Sequence, residues 1–506
     1  MDIEPVEVVV FGAGQIVAAL AGVRWLRVAQ REHYVPGSVT RFALRWWGRG
    51  TNLVLLAIIV VTVAATEAVP LLGLLASAAL VVGPIGLSLR GRTSKLAWTR
   101  RLRTLAGVWA VLHLLVVVLV ALGGSLATGS VLAAAGAEML IDLALLITAP
   151  LERGLARPFV HRAAARLKQV GPTVVAITGS YGKTSTKVHV AHLVEATRSV
   201  LATPASFNNR AGLARAVNEH LMPGTEVFVA EMGTYGKGEI SDLCSWCPPD
   251  IAVITAIGPV HLERMGSEEA ILEAKAEILE RAGVAVLNVD HPLLERLATE
   301  RAAADHRVVQ CSALSADADV TVVAGEVCAG GHLIGRVEDA DVASTNVACA
   351  VAVALELGVP QDVIAVRLAS LPTAEHRLSV ARGSSGAVVV DDTYNANPAG
   401  AARALATLAA RASPTGKRVV VTPGMVELGP RQHDENAAFA SAAAEAASHL
   451  VVVGRSNRKS LLEGAKAGSA EVVVVDTRDQ AVAWVREHVG EGDAVLYEND
   501  LPDHFP

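Results

Sequence analysis

The chain has 506 residues, with 44 Lys+Arg against 50 Asp+Glu and a formal net charge of −6. That length fits three or so domains, and the mild acidic surplus argues against a nucleic-acid binder, whose surface is usually basic. A mean hydropathy of +0.41 is high for a soluble enzyme, and nearly all the long apolar runs lie before Ala149. Five cysteines without regular spacing make no disulfide framework and fit a reducing compartment.

Five apolar segments come first, roughly Val6–Val23, Leu53–Val69, Leu71–Leu89, Leu105–Gly123 and Leu126–Ala149. Each is close to the ~20 residues that cross a bilayer core. The start is acidic (Asp2, Glu4, Glu7), unlike a cleaved signal peptide. Residues 1–150 therefore read as a multi-pass α-helical membrane domain of about five spans. Arginines crowd the first connection (Arg24 to Arg49), the third (Arg90 to Arg103, with Lys95) and the stretch after the fifth run, whereas the second and fourth connections carry no Lys or Arg. Lys and Arg mark the cytosolic side, so the N-terminus is expected outside and everything after Pro150 inside, at the cell (inner or plasma) membrane. The second and third runs, joined by a very short turn, alternatively form a re-entrant hairpin, which leaves the C-terminus inside. Glu138 and Asp142 share a helix face in the fifth run. They read either as a site for a polar or lipid-linked headgroup or as a pair neutralised by protonation or local partners.

Residues 151–170 are basic and Ala-rich, a short cytosolic helical connector. From Thr173 to Thr178 runs a β-branched apolar strand, followed by Gly179-Ser-Tyr-Gly-Lys-Thr-Ser185 and a helical stretch to about Ala196. Strand, glycine loop, Lys-Thr-Ser and helix is what a nucleotide phosphate needs. Gly179 and Gly182 let backbone N–H groups of Ser180 and its neighbours approach the phosphate, and the helix start adds positive potential. Lys183 neutralises phosphate oxygens and Thr184 offers a hydroxyl to Mg²⁺, with Ser185 beside it. Two residues separate the glycines, fewer than in the common phosphate loop. Further strands end at Glu231 and shortly before His261, and ligands of open parallel sheets bind at such ends. A carboxylate and an imidazole emerging there suit divalent metal. Cys244 and Cys247 form a single C-x-x-C, short of the ligand pairs that a structural zinc takes.

These pieces resemble the Mur ligase family, within it the MurF-like branch that adds D-Ala-D-Ala. The matching segments are Thr178–Ser185, Ser206-Phe-Asn-Asn209, Glu231-Met-Gly233, Ile257–His261, Ala274-Lys-Ala-Glu-Ile278, Leu287-Asn-Val-Asp290 and Asp391-Asp-Thr-Tyr-Asn-Ala-Asn-Pro398, in the family's order. The resemblance implies a central ATP-binding domain of P-loop type over residues 171–372 and a C-terminal Rossmann-like domain over 373–506. It implies an ADP-forming ligase: ATP phosphorylates a carboxylate, and an amino-acid or peptide amine attacks the acyl phosphate. Such chemistry asks mainly for charge neutralisation on the moving phosphoryl group. Carried over, Gly179, Ser180, Gly182, Lys183, Thr184 and Ser185 hold phosphates, and Thr184 and Glu231 bind one Mg²⁺ of two. His261 serves the metal site, and Asn209 lies toward the γ-phosphate. Asn288 reads the adenine, while Arg377 and Asp392 contact the nucleotide from the C-terminal domain. Lys275 matches a lysine that family members often carbamylate, which turns an ammonium into a metal-binding carboxylate. Asn395 and Asn397 are substrate candidates, and ordinary turn chemistry accounts for them equally.

Strands are expected at Ala387–Val390, Arg418–Thr422, Leu450–Val453, Val472–Val475 and Ala494–Tyr497, alternating with helices. Three departures stand out. Apolar segments occupy the place of the family's UDP-binding domain, the tail from Leu496 is acidic where the family has Lys-Gly-Ser, and Asp339–Asn346 lacks an expected His-Asn. The readings are a ligase acting on a cell-envelope precursor, lipid-linked or not; a ligase making a poly-amino-acid or peptide product; and a nucleotide-driven transporter or sensor. The third is disfavoured because the ligase motifs run on past ATP binding into the C-terminal domain.

Overall fold

A computed structural model describes residues 4–87, 89, 96–205, 207–338, 342–373, 378–383, 385–394, 396–501 and 505. The chain divides into two compact units, residues 1–156 with 501–506, and residues 157–500.

The first unit is helical: α1 (Pro5–Arg31), α2 (Ser38–Trp47), α3 (Thr51–Ala65), α4 (Leu72–Val82), α5 (Arg100–Gly123), α6 (Leu126–Ala135) and the start of α7 (Ala137–Val170). Each apolar run contains a helix, but the expectation of five spans is corrected. Among the described residues only α1 and α5 are by themselves long and apolar enough to cross a membrane, and four spans result if α2 with α3 (bent by 106°) and α6 with α7 (bent by 72°) each count as one. The reason is length. α3 has 15 residues and α4 has 11, so they reach about 22 and 16 Å at 1.5 Å per residue, against a hydrocarbon core of ~30 Å. The fifth run is interrupted at Gly136, which ends α6.

Buried polar groups tie these helices together. The Arg24 guanidinium donates to the Val81 carbonyl (3.2 Å) and to those of Leu80 and Gly83, so it caps the C-terminal end of α4. Asp142 accepts backbone N–H groups of Gly37 (2.9 Å), Val39 (3.3 Å) and Thr40 (2.7 Å) at the start of α2. Glu138 is hydrogen-bonded to Trp47. The acid pair expected as a substrate candidate thus has local partners.

The second unit holds two sheets. The first comprises β1 (Thr173–Thr178), β2 (Val200–Ala202), β3 (Val227–Glu231), β4 (Ile251–Ile254), β5 (Val284–Asn288), β6 (Arg307–Ser312), β7 (Val320–Val323), β8 (Glu326–Ala329) and β9 (His332–Arg336). Their order is β2-β3-β1-β4-β5-β6-β7-β8-β9, parallel as far as β7 and antiparallel beyond. Because side chains alternate along a strand, Val174 and Ala176 join one core with Leu213 and Leu221. Val175 and Ile177 join the other with Val190 and Val347. Burial on both faces explains why β1 reads as a continuous apolar run. The C-terminal part of α7 belongs here: Val160, Ala163 and Leu167 are in the first core, and Arg166 Nε donates to the Leu221 carbonyl at 2.6 Å.

The second sheet comprises β10 (Ser379–Arg382), β11 (Val388–Asp392), β12 (Arg418–Thr422), β13 (His449–Val453), β14 (Glu471–Val475) and β15 (Ala494–Glu498), in the order β10-β11-β15-β12-β13-β14. All pairs are parallel except β10 with β11. The five expected strands are present within a residue or two. β10 is an added antiparallel edge.

Candidate active site

β1 delivers the chain into the glycine loop, and α8 (Lys183–Glu195) starts directly after Gly182. The loop is seated on the end of β4: Ser180 N donates to Ala256 O (2.8 Å), and the Thr255 hydroxyl donates to Tyr181 O (2.5 Å). Gly182 has φ +84°, and a Cβ there would come within 2.3 Å of Asn346 Oδ1. Lys183 Nζ donates to Gly179 O at 2.7 Å, so the ammonium lies over the loop's own mouth.

Thr184 Oγ1 donates to Glu231 Oε2 at 3.0 Å. The same oxygen meets Lys187 Nζ at 3.1 Å, and Oε1 accepts from Asn208 Nδ2 at 3.1 Å. Burial would raise the Glu231 carboxyl, but Lys187 and Lys183 outweigh it and hold the group below the usual carboxylate range. Glu231 is therefore an anion beside a hydroxyl, the hard-oxygen pair that Mg²⁺ takes together with phosphate and water. Among the described residues no three His, Cys, Asp or Glu side chains converge on one point. A site completed by substrate phosphates fits that better than an all-protein cage.

His261, at φ +70°, and Lys275 complete the cluster. Lys275 is 1% exposed, and burial first, then the charge of Lys183, pushes its ammonium well below the ordinary lysine value. A neutral buried amine is the form that reacts with CO₂, so the residue fits carbamylation. Unmodified, it offers no anionic ligand. Burial lowers His261; Glu427 opposes this, while Lys275 and Lys183 add to it. Glu231, His261 and Lys275 therefore each lie within electrostatic reach of Lys183, and His261 and Lys275 within reach of one another.

A cavity of about 350 Å³ opens beside the loop, lined by Tyr181, Gly182 and Ser185 on one side and by Asp392, Asn397 and Arg403 on the other. Asp392 Oδ1 accepts Leu378 N at 3.1 Å, and Asn397 caps the helix Pro398–Arg411 by accepting Gly400 N at 3.0 Å. Asn209 and Asn288 both have partners within the fold. Asn209 is exposed and caps α9 (Arg210–His220), accepting Gly212 N at 3.0 Å, and Asn208 is the asparagine that reaches Glu231. Asn288 donates to Thr255 O (2.9 Å) and accepts Asp290 N (3.2 Å). The amides that line the cavity are Asn397 and Asn346, the latter at the start of the helix Ser344–Glu356. Arg377 and Asn395 lie outside the described residues, as do Ser206, Arg90, Arg92 and Lys95.

Sequence reasoning missed Lys187, Asn208 and Asn346. Lys187 was findable, since it stands at i+4 from Lys183 and shares its helix face. It also missed Glu498 at the end of β15, register partner of Asp392 and 1% exposed, whose carboxyl is pushed well above the usual range by burial and then by Asp392. Cys244 and Cys247 are free and buried, and burial pushes the Cys244 thiol up to about 12. Thiols so hard to ionise are inert packing groups.

A glycine loop on a parallel sheet, an ionised Glu231 beside the Thr184 hydroxyl and a cavity lined from both α/β lobes suit an ATP-dependent ligase. The Mur ligase middle domain matches residues 177–332, and the Mur ligase glutamate ligase domain matches residues 376–497. The UDP-N-acetylmuramoyl-tripeptide–D-alanyl-D-alanine ligase of Mycobacterium tuberculosis is 35% identical over 365 residues, covering 66% of this chain and 68% of its own. The same-named protein of Bacillus subtilis is 33% identical over 278 residues, covering 53% and 59%. Among solved structures, MurF ligase of Thermotoga maritima in complex with ADP superposes with a TM-score of 0.57 at 27% identity, covering 68% of this chain and 80% of that one. MurF of Acinetobacter baumannii gives 0.58 at 25%, covering 68% and 77%. The chain belongs to the Mur ligase family and is an ATP-dependent, ADP-forming amide ligase that works with Mg²⁺.

Proposed function

We propose that this ligase is held at a membrane by its first unit and joins an amine to the carboxyl end of a cell-envelope peptide precursor. The observation that carries the chemistry is the glycine loop with Lys183 bonded across it and Thr184 bonded to Glu231 (3.0 Å), and with His261 and Lys275 within electrostatic reach of Lys183. Lys183 and the loop N–H groups hold the phosphates. Thr184 and Glu231 supply oxygens for Mg²⁺, and His261 with a carbamylated Lys275 supplies a second metal position; the metal contributes charge neutralisation of the phosphoryl group in transfer. Asn346 and Asp392 orient the nucleoside from the two sides of the cavity. The substrates in the relatives' names support a muramoyl-peptide acceptor and D-alanyl-D-alanine as the amine.

The membrane reading rests on α1 and α5 and on the exposed Val111, Leu114, Leu115, Val118, Leu119 and Leu122 along α5. Single-file apolar exposure of this extent is costly in water and favourable in lipid. With α3 and α4 as a re-entrant hairpin, three crossings (α1, α5 and α6 with α7) put the N-terminus outside and the ligase in the cytosol, in agreement with the arginine-rich connections. Arg24 at the end of α4 supports the hairpin's return to the arginine-rich side.

The test is ADP release by the full chain in mild detergent, with UDP-linked and prenyl-linked muramoyl tripeptides and D-Ala-D-Ala. Turnover should need both organic substrates and yield an amide. Full-rate ATP hydrolysis with neither present would defeat the ligase reading on this substrate class.

A further inference from the structure

The segment Pro423–Gly429 belongs to the C-terminal lobe, yet its Glu427 meets residues of the central one. Glu427 Oε2 lies 2.5 Å from His261 Nδ1, and Oε1 accepts from Arg264 Nη2 at 2.8 Å. Glu263 N donates to the Glu427 carbonyl at 3.3 Å. The histidine ring is also bounded by Tyr235, edge-on with centroids 5.4 Å apart, and Arg264 stands over that tyrosine at 5.2 Å. Both facing residues are in the left-handed backbone region, His261 at φ +70° and Glu427 at +65°. That conformation is uncommon for non-glycine residues and persists only where surroundings impose it. The Glu427 loop is imposed from behind: Met425 N donates to Asn436 Oδ1 (2.8 Å), Asn457 Nδ2 to Pro423 O (3.0 Å) and Asn499 Nδ2 to Gly424 O (2.7 Å).

We propose that Glu427 is a positioning residue through which the C-terminal lobe sets His261 for metal binding. A carboxylate at Nδ1 makes that nitrogen the proton-bearing one and leaves Nε2 as the lone-pair nitrogen. Ligand histidines are commonly oriented by a carboxylate on the other ring nitrogen. Here the orienting carboxylate comes from a different lobe than the ring it orients. The ligand is therefore set only when the lobes are together, and assembly of the metal site is tied to closure over the nucleotide. This rests on the reading of His261 as a metal ligand.

The experiment is a Mn²⁺ titration of the full chain in detergent with ADP present, followed by the free-Mn²⁺ electron-spin signal. His261→Ala should weaken one class of Mn²⁺ site. Glu427→Ala should weaken the same class by about 10- to 100-fold. Glu427→Gln, which keeps an acceptor for Nδ1–H, should recover part of the loss, and it carries the test if the alanine variant misfolds. Glu268→Ala breaks another contact between the lobes, Arg431 Nη1 to Glu268 Oε1 at 2.9 Å, without removing the Glu427–His261 pair; it should stay within twofold of wild type. Wild-type Mn²⁺ affinity in Glu427→Ala, or an equal loss in Glu268→Ala, overturns the positioning role. Wild-type affinity in His261→Ala instead overturns the metal-ligand reading on which it stands.

Discussion

Gly182 joins the phosphate loop to α8 at φ +84°, and an ideal Cβ there would sit 2.3 Å from Asn346 Oδ1 and 3.2 Å from its Cγ. Gly182→Ala therefore meets two separate penalties. The left-handed conformation costs an L-residue roughly 1–2 kcal/mol, and the contact at 2.3 Å forces either the loop or Asn346 to move. A loop that relaxes to escape both must return to its original shape to bind phosphate. At about 1.4 kcal/mol per decade, the strain alone predicts a roughly 5- to 30-fold higher Kd for ADP·Mg²⁺, and displacement of Asn346 from the cavity adds to it. Calorimetric titration of ADP measures this directly. Gly454→Ala is the control: Gly454 has φ +75° and nothing within 4 Å of its ideal Cβ. It should lower the melting temperature and leave ADP affinity alone. ADP affinity within twofold of wild type in Gly182→Ala, or an equal loss in Gly454→Ala, would refute the close-approach argument.

Lys275→Ala should lose ligation, and a short-chain carboxylate should restore part of it. Wild-type turnover in that variant would remove the lysine from the metal site. His189 lines the cavity and is 2% exposed; burial first, with His192 assisting and the Pro372 carbonyl opposing, lowers its pKa to about 4. The unfolded chain takes up that proton near 6.5 and the folded one resists it to about 4. The associated stability is thus whole above 6.5 and is lost as the pH falls toward 4, by up to about 3 kcal/mol. Melting temperatures of His189→Gln should fall less steeply across that window than those of wild type. Asp142→Ala strips the acceptor from three backbone N–H groups, at roughly 1–3 kcal/mol for each left unsatisfied. It should lower the melting temperature in detergent and leave kcat/KM of the folded fraction unchanged; the reverse pattern would return Asp142 to the substrate.

The parts of the fold that showed in the sequence are those with strong local patterns. β1 and the five central C-terminal strands are short β-branched runs between turn residues, and they fall where periodicity put them. The spans did not follow, because hydropathy measures composition over a window and is blind to a break such as Gly136 or to an arm as short as α4. In the site, the loop and Glu231 were legible because a strand end dictates where they point. Asn208 and Asn209 are adjacent and chemically equal, and only the start of α9 decides which caps the helix and which reaches the carboxylate. Asn346 enters the cavity from a helix more than 150 residues further along the chain than Gly182, a distance no local pattern bridges. Glu427 carries no local signal of its pairing, because its partner His261 belongs to the other lobe.

The placing of Lys187 against Glu231 has a consequence for how the enzyme is made. In many metal sites the ligand carboxylates repel one another until the ion arrives, so folding waits for metal. Here the buried Glu231 carboxylate already has an internal counter-ion at 3.1 Å and a second ammonium nearby. The ligase lobes are therefore expected to fold without divalent ions, and a chelator should silence the enzyme while leaving it folded and ready to be recharged.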